Sequence, residues 1–493
     1  MIFKVISFKL ILLLFIIKFD RVKAQTCKIE LIDIKTKTKV CNPLNLIRGK
    51  ITCNKLKPPY SNNLSRNITA KGLDFQQSWP INSLNEFKAI VKLKKGINKI
   101  SFTYVYKNEN AKLVLELNYE ENLDLDPLRL GIFASKDSSF TFDMDKESKS
   151  LGDKNNLDSA IKRIQTAGLL AQALTSDNLN HHGYGRKTFR LELDKNYLPK
   201  IHVLKSELTR KQLIDLYLND KAFEFFDHIH DTIRKSTVYK NETKYDKNRM
   251  VFGLIIIDAF YDKQLDKAVL HHALGNGFIE PRLGVFGSHL LHAWPESWNQ
   301  VNRFFDERNL DFSQLTNDDS PTKMKALNTG IGAFMHEIGH AYTLDHSGLG
   351  IMSRDWSLNK FFFSVYKKES KYYPVKHYTD EDNTGWKNTD AEILSNHEHI
   401  NNSLGLSSIV GNSKWKASDS EHYFVKLNEK TWHEIIDGIL KFKFDFVSDI
   451  NQVVILYAAD RKFYISLDSQ NAKFGSTKND INAVFKTGTW VKN

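Results

Sequence analysis

His336, Glu337 and His340 stand in the order His-Glu-x-x-His, and His346 and Met352 follow at fixed short distances. On a helix of 3.6 residues per turn His336 and His340 lie one above the other, so both imidazoles can reach one metal ion. Zinc in hydrolases takes three protein ligands and keeps one position for water, and His346, beyond the expected helix end, is spaced to return as the third. Glu337 then stands beside the open position. A carboxylate there can take a proton from a water whose pKa the metal lowers to about 7, and deliver it to a leaving amine. His-Glu-x-x-His alone arises by accident in many helices, and the third histidine at its offset is what gives the pattern weight. Two other readings stay open: a degenerate site that keeps its residues without activity, and a third ligand from Glu392 or Glu398, which leaves His346 without a role.

The metal helix is predicted to begin between residues 321 and 326 and to run to Tyr342, with Ile331, Phe334, Met335, Ile338 and Tyr342 as its buried stripe. Thr329, Gly332 and Ala333 lead to His336 and leave room for a substrate. Before the helix, residues 273–277 and 282–289 combine glycines with a strand-like run. They predict either an edge strand to which an extended peptide could add itself, or a plain hairpin beneath the site. Residues 128–133, 189–193 and 251–257 read as strands, and Leu157, Ile161, Ile164, Ala171 and Leu174 fall on one helical face. The pairs His181/His182, His228/His230, His271/His272, His289/His292 and His397/His399 lack metal spacing and read as packing or surface residues. Asp124, Asp126, Asp143 and Asp145 lack a calcium-loop spacing and read as turn or cap residues.

The chain has 493 residues, 41% of them hydrophobic and 12% aromatic, enough for several packed cores. Residues 1–24 read as a secretory signal, with Lys4 ahead of the apolar run 10–17 and Val22-Lys23-Ala24 as cleavage site. That run is too short to span a bilayer, and an exported protein is expected. The net charge of +12 falls to about +8 without the signal. Lysines are scattered among acids, so nucleic acid is not an expected partner, while contact with a polyanion such as a glycan or lipid head group stays open. Cys27, Cys41 and Cys53 are the only cysteines; two should pair, with no pairing favoured. Sequons at Asn63, Asn67, Asn241 and Asn401 suit a secreted surface. Residues 25–122 alternate as a β-sandwich of immunoglobulin-like size, 123–400 form the catalytic α/β part, and 401–493 are β-rich.

His336-Glu337-x-x-His340-x-x-x-x-x-His346 with Met352 resembles the metzincin clan of zinc endopeptidases. Pro127-Leu128-Arg129-Leu130, Gly183-Tyr184-Gly185-Arg186-Lys187-Thr188-Phe189-Arg190-Leu191-Glu192, Leu283-Gly284-Val285-Phe286-Gly287-Ser288, Trp294-Pro295 and Gly350-Ile351-Met352-Ser353-Arg354-Asp355 are more closely similar to a zinc metallopeptidase family known chiefly from fungi and other eukaryotes. The resemblance implies one catalytic zinc on His336, His340 and His346, Glu337 as general base, and Met352 in a turn beneath the site. It departs at Thr343, where the clan usually has glycine at a sharp exit, and at Arg354, where some relatives carry a tyrosine. The expected fold is α+β: a metzincin-like peptidase domain with a mixed twisted sheet, flanked by an N-terminal β-sandwich and a small C-terminal β region. The expected function is secreted, zinc-dependent endopeptidase action on protein or peptide substrates. The alternative is a secreted binding or adhesion protein with a vestigial metallopeptidase domain.

Overall fold

In the computed structural model the described residues are 27–53, 66–82, 84–106, 109–219, 221–301, 323–356, 358, 362, 365–366, 376–377, 385–400, 414–428, 431–437, 439–450, 453–459, 461–478 and 480–491. The signal segment, the sequons at Asn63 and Asn401 and the aromatic run 361–363 lie wholly or mostly outside them. The asparagines of the other two sequons, Asn67 and Asn241, are exposed. The chain divides into two compact units, Met1–Ser395 and Asn396–Asn493.

The first unit begins with two antiparallel-rich sheets. Cys27–Ile32, Leu44–Cys53 and Glu86–Lys92 form one of three strands, and Thr38–Val40, Glu109–Tyr119, Gly96–Tyr106, Asn67–Lys71 and Gln76–Pro80 form one of five. Alternating burial, as in Ile68 and Ala70 against exposed Asn67 and Lys71, gives each strand an apolar inner face. A disulfide joins Cys27 to Cys53 where the first two strands pair, leaving Cys41 free.

The same unit continues with β1 (Leu128–Ala134), α1 (Leu157–His181), β2 (Ile201–Lys205), α2 (Ala222–Lys235), β3 (Val251–Ile256), β4 (Leu274–Asn276), β5 (Arg282–Gly287) and α3 (Lys323–Ala341). The sheet order is β2-β1-β3-β5-β4, parallel throughout except for β4, which lies antiparallel to β5 at the edge. Helices cover the sheet, so β1 and β3 are buried along their whole length, β3 as its unbroken apolar sequence requires and β1 with Arg129 set against Glu242. Phe225, Ile229 and Ile233 form the inward face of α2 against Phe252, Leu254 and Ile256 of β3. Residues 189–193, expected as a strand, meet the sheet backbone through the isolated bridge Leu128↔Leu191, while Leu193 bridges Pro199 outside the strands and the Glu192 side chain reaches Arg129 and His202. The left-handed glycines Gly183 and Gly185 bend the chain just before, and Pro199 cannot donate to a ladder.

The second unit is a closed barrel of eight antiparallel strands: β6 (Lys414–Ala417), β7 (His422–Asn428), β8 (Thr431–Ile436), β9 (Ile439–Ile450), β10 (Val453–Ala458), β11 (Phe463–Leu467), β12 (Asn471–Gly475) and β13 (Ala483–Trp490). Closure comes from β6 pairing with β13, Trp415 opposite Trp490. Trp415, Phe424, Trp432, Phe444 and Leu456 fill its interior. The β-rich C-terminal region expected from the sequence takes the form of this barrel. No helix among the described residues is long and apolar enough to cross a membrane.

Candidate metal centre and active site

Helix α3 reaches the sheet because two paired glycines let it. Gly275 of β4 stands opposite Gly284 of β5. A Cβ on Gly284 would lie 2.6 Å from the Glu337 carbonyl oxygen, and one on Gly275 would lie 2.5 Å from the same atom and 2.6 Å from His340 Cβ. Only glycine admits that approach, so the edge strand runs directly along the segment carrying Glu337 and His340. Residues 274–287 form a hairpin against the helix, and among the described residues its outer strand pairs on one side only.

The helix ends one residue before the predicted Tyr342, at Ala341, in a Schellman turn. Leu344 N–H donates to Gly339 O at 3.0 Å and Thr343 N–H to His340 O at 2.9 Å. Thr343 has φ +64°, so the sharp exit is made in the usual left-handed way with an ill-suited residue. The returning chain brings His346 back to the helix. The Nε2 atoms of His336 and His340 are 3.0 Å apart, those of His336 and His346 3.2 Å, and those of His340 and His346 3.3 Å.

Two backbone carbonyls settle which nitrogens face inward. His336 Nδ1–H donates to Ile351 O at 2.8 Å and His340 Nδ1–H to Leu344 O at 2.7 Å, since a carbonyl can only accept. The Nε2 atoms of both neutral rings are therefore acceptors, and they face each other with no proton to share. A cation satisfies that arrangement, and four-coordinate zinc with Zn–N of about 2.0–2.1 Å sets its nitrogens about 3.3 Å apart. Burial, helped by neighbouring positive charge, pushes the His336 imidazole down to about 4 and lowers His340 too, favouring the neutral form that binds metal. Among the described residues the other convergent donor group is Cys27, Cys53 and Glu109, whose thiols are in the disulfide. Neither Glu392 nor Glu398 joins the three imidazoles, and His346 does.

Glu337 is 4% exposed, and burial pushes its carboxyl up to about 8 against the pull of Arg354. A divalent cation nearby would draw it back down. Met352 is fully buried in the 3-10 turn Ile351–Ser353, its sulfur against Gly339, the residue before His340. Ser347 Oγ donates to Asp390 Oδ2 at 3.2 Å, anchoring the loop after His346 on the helix Asn388–Asn396. The carbonyls of Leu344 and Ile351 carry no sequence signal, because any residue supplies one. Asp143 and Asp145 serve as acceptors for Tyr261 N–H and Ser148 N–H, and His230, His272, His289 and His292 are buried packing residues.

A helix bearing two imidazoles and a buried carboxylate, met by a third imidazole from the returning chain and laid under an edge strand, has the makings of a metallopeptidase. The chain belongs to the family described as "Putative peptidase family" (Metallopep), which matches residues 28–438. A "putative zinc metalloproteinase" of Schizosaccharomyces pombe is 29% identical over 57% of this chain and 45% of its own length. One of Saccharomyces cerevisiae is 28% identical over 68% of this chain and 49% of its own. The chain thus spans about half the length of these curated relatives. Among solved structures, catalytically inactive OgpA of Akkermansia muciniphila in complex with an O-glycopeptide substrate aligns over 74% of this chain and 81% of its own, at 12% identity and a TM-score of 0.36, too slight a likeness to argue from. The family and its relatives support a metallopeptidase-type function, with zinc as the metal those relatives are named for.

Proposed function

We propose that the chain is an exported zinc endopeptidase of metzincin-like build, with His336, His340 and His346 as the ligands of one zinc ion and Glu337 as general base. The observation that carries this reading is the convergence of three Nε2 atoms within 3.3 Å, two of them aimed by carbonyls on their Nδ1 side. Zinc bound there would supply Lewis acidity, lowering the pKa of a water to about 7 and polarising a carbonyl oxygen. The residues of the chain do the rest. Ile351 and Leu344 hold the imidazoles in one tautomer and orientation. Glu337, in a dry position beside Gly275, takes the proton of the attacking water and returns it to the leaving amine nitrogen. Met352 fills the floor under the ligands, and the unpaired side of β4 offers main-chain groups to an extended peptide.

Zinc content measured with cleavage of a denatured-protein or peptide library tests this, with Glu337→Ala as control. About one zinc per chain and cleavage abolished by the substitution are expected. A chain without zinc ends the proposal. Bound zinc with no cleavage in either form leaves the binding protein with a vestigial site.

A further inference from the structure

We propose that Arg354 is a specificity-determining residue of this site and that it selects peptides carrying a carboxylate side chain next to the cleaved bond. The inference rests on the peptidase reading above. Arg354 closes the turn that holds Met352, and its backbone is left-handed, with φ +68°. L side chains resist that conformation and glycine or asparagine suits it best, so a long charged residue occupies it against backbone preference.

The turn fixes where the side chain starts. Arg354 N–H donates to Ile351 O at 3.1 Å, the same carbonyl that accepts from His336 Nδ1–H at 2.8 Å, and Asp355 N–H donates to Gly350 O at 2.9 Å. Arg354 is thus one shared acceptor away from an imidazole of the cluster. Its positive charge reaches both His336 and Glu337.

Arg48, Arg129, Arg163, Arg186 and Arg190 are largely buried and each lies against a carboxylate: Asp33, Glu242, Glu296, Asp177 and Glu121 respectively. The Arg354 side chain is exposed and makes no hydrogen bond or ion pair with any described residue. A planar fork of N–H donors at the mouth of a peptide site matches a carboxylate in two-point geometry. Stabilising the oxyanion of the scissile carbonyl is a different role, and it calls for a donor held in a dry, fixed position, whereas this one is in water.

The test uses peptide pairs that differ only as Glu against Gln at each position flanking the cleaved bond. Wild type should prefer Glu at one position by about tenfold to a hundredfold in kcat/KM, the range for a hydrogen bond to a charged group. Arg354→Gly, which suits the backbone and keeps folding out of the question, should bring that ratio close to one. Arg354→Glu should move the preference to a Lys peptide. Equilibrium binding of the same peptides, fluorescein-labelled, to chelator-stripped protein should show the same Glu preference, weakened by salt and absent in Arg354→Gly. The proposal fails if Arg354→Gly slows Glu and Gln peptides by the same factor, or if stripped wild type binds both members of every pair equally. If zinc-loaded wild type cleaves nothing, the peptidase reading falls, while the binding measurement still decides for or against Arg354.

Discussion

Replacing Thr343 with glycine should stabilise the chain and leave the three imidazoles in place. Thr343 holds φ +64° at the exit of the metal helix. For an L residue that conformation costs about 1–2 kcal/mol, and a β-branched side chain belongs at the upper end. Glycine removes the strain but gives the unfolded chain more freedom, which returns about 0.5–1 kcal/mol. Thr343 is only half-buried, so losing its side chain removes little packing. The net gain is about 1 kcal/mol, or about 2–4 °C in the melting temperature of a domain of some 150–250 residues and less in a larger one. Calorimetry, which separates the transitions of the two units, reads the shift, and zinc binding reads whether the cluster survives. Thr343→Ala keeps the left-handed strain and should gain much less. A Thr343→Gly protein that melts lower, or that loses zinc while folded, would show that the side chain, and not the backbone angle, matters there.

Gly275→Ala should cost about 1–3 kcal/mol and weaken zinc binding, because its Cβ would meet the Glu337 carbonyl and His340 Cβ; urea unfolding checks this, with Gly348→Ala, which meets nothing within 4 Å, as the neutral control. His230 and His272 are buried, and burial pushes both imidazoles down to about 4 from an ordinary 6.5. The unfolded chain therefore binds their protons first: stability is unaffected above pH 6.5, falls as pH drops from 6.5 to 4, with about 2 kcal/mol apiece lost by pH 5, and changes no further below 4. Urea midpoints between pH 7 and 4 should show it, with His230→Leu flattening the slope by one proton. Cys27→Ser opens a loop closed across a sequence separation of 26 and should cost about 3–4 kcal/mol, while Cys41→Ser should change stability little.

The chemistry of the site was legible because most of it is local. His336 and His340 meet by helical period alone, and His346 needs only a short return. The strand β3 was equally plain, being a continuous apolar run of the right length, and β1 departs from that pattern only at Arg129. What escaped depends on contacts remote in sequence. Residues 189–193 alternate like a strand, yet their neighbours are decided by the glycines before them. The β character of the C-terminal region could be read, but its closure turns on Trp415 meeting Trp490, and no local pattern announces such a pairing. The same holds for Thr38–Val40, which runs parallel to the far end of Glu109–Tyr119. Thr343 is the sharper lesson. Its preference against positive φ was read correctly, and the surrounding turn overrides it through two backbone hydrogen bonds.

The barrel's closure also settles where its chain enters and leaves. Val491 N–H donates to Lys414 O at 2.9 Å, so the two ends of the barrel are hydrogen-bonded neighbours. A fold whose ends touch can be set into a loop of another protein, or have its ends joined and a new opening cut at a hairpin, without stretching the chain. The eight strands are in that sense a detachable cassette. Grafted between two neighbouring positions of a host loop, they should keep their own melting transition.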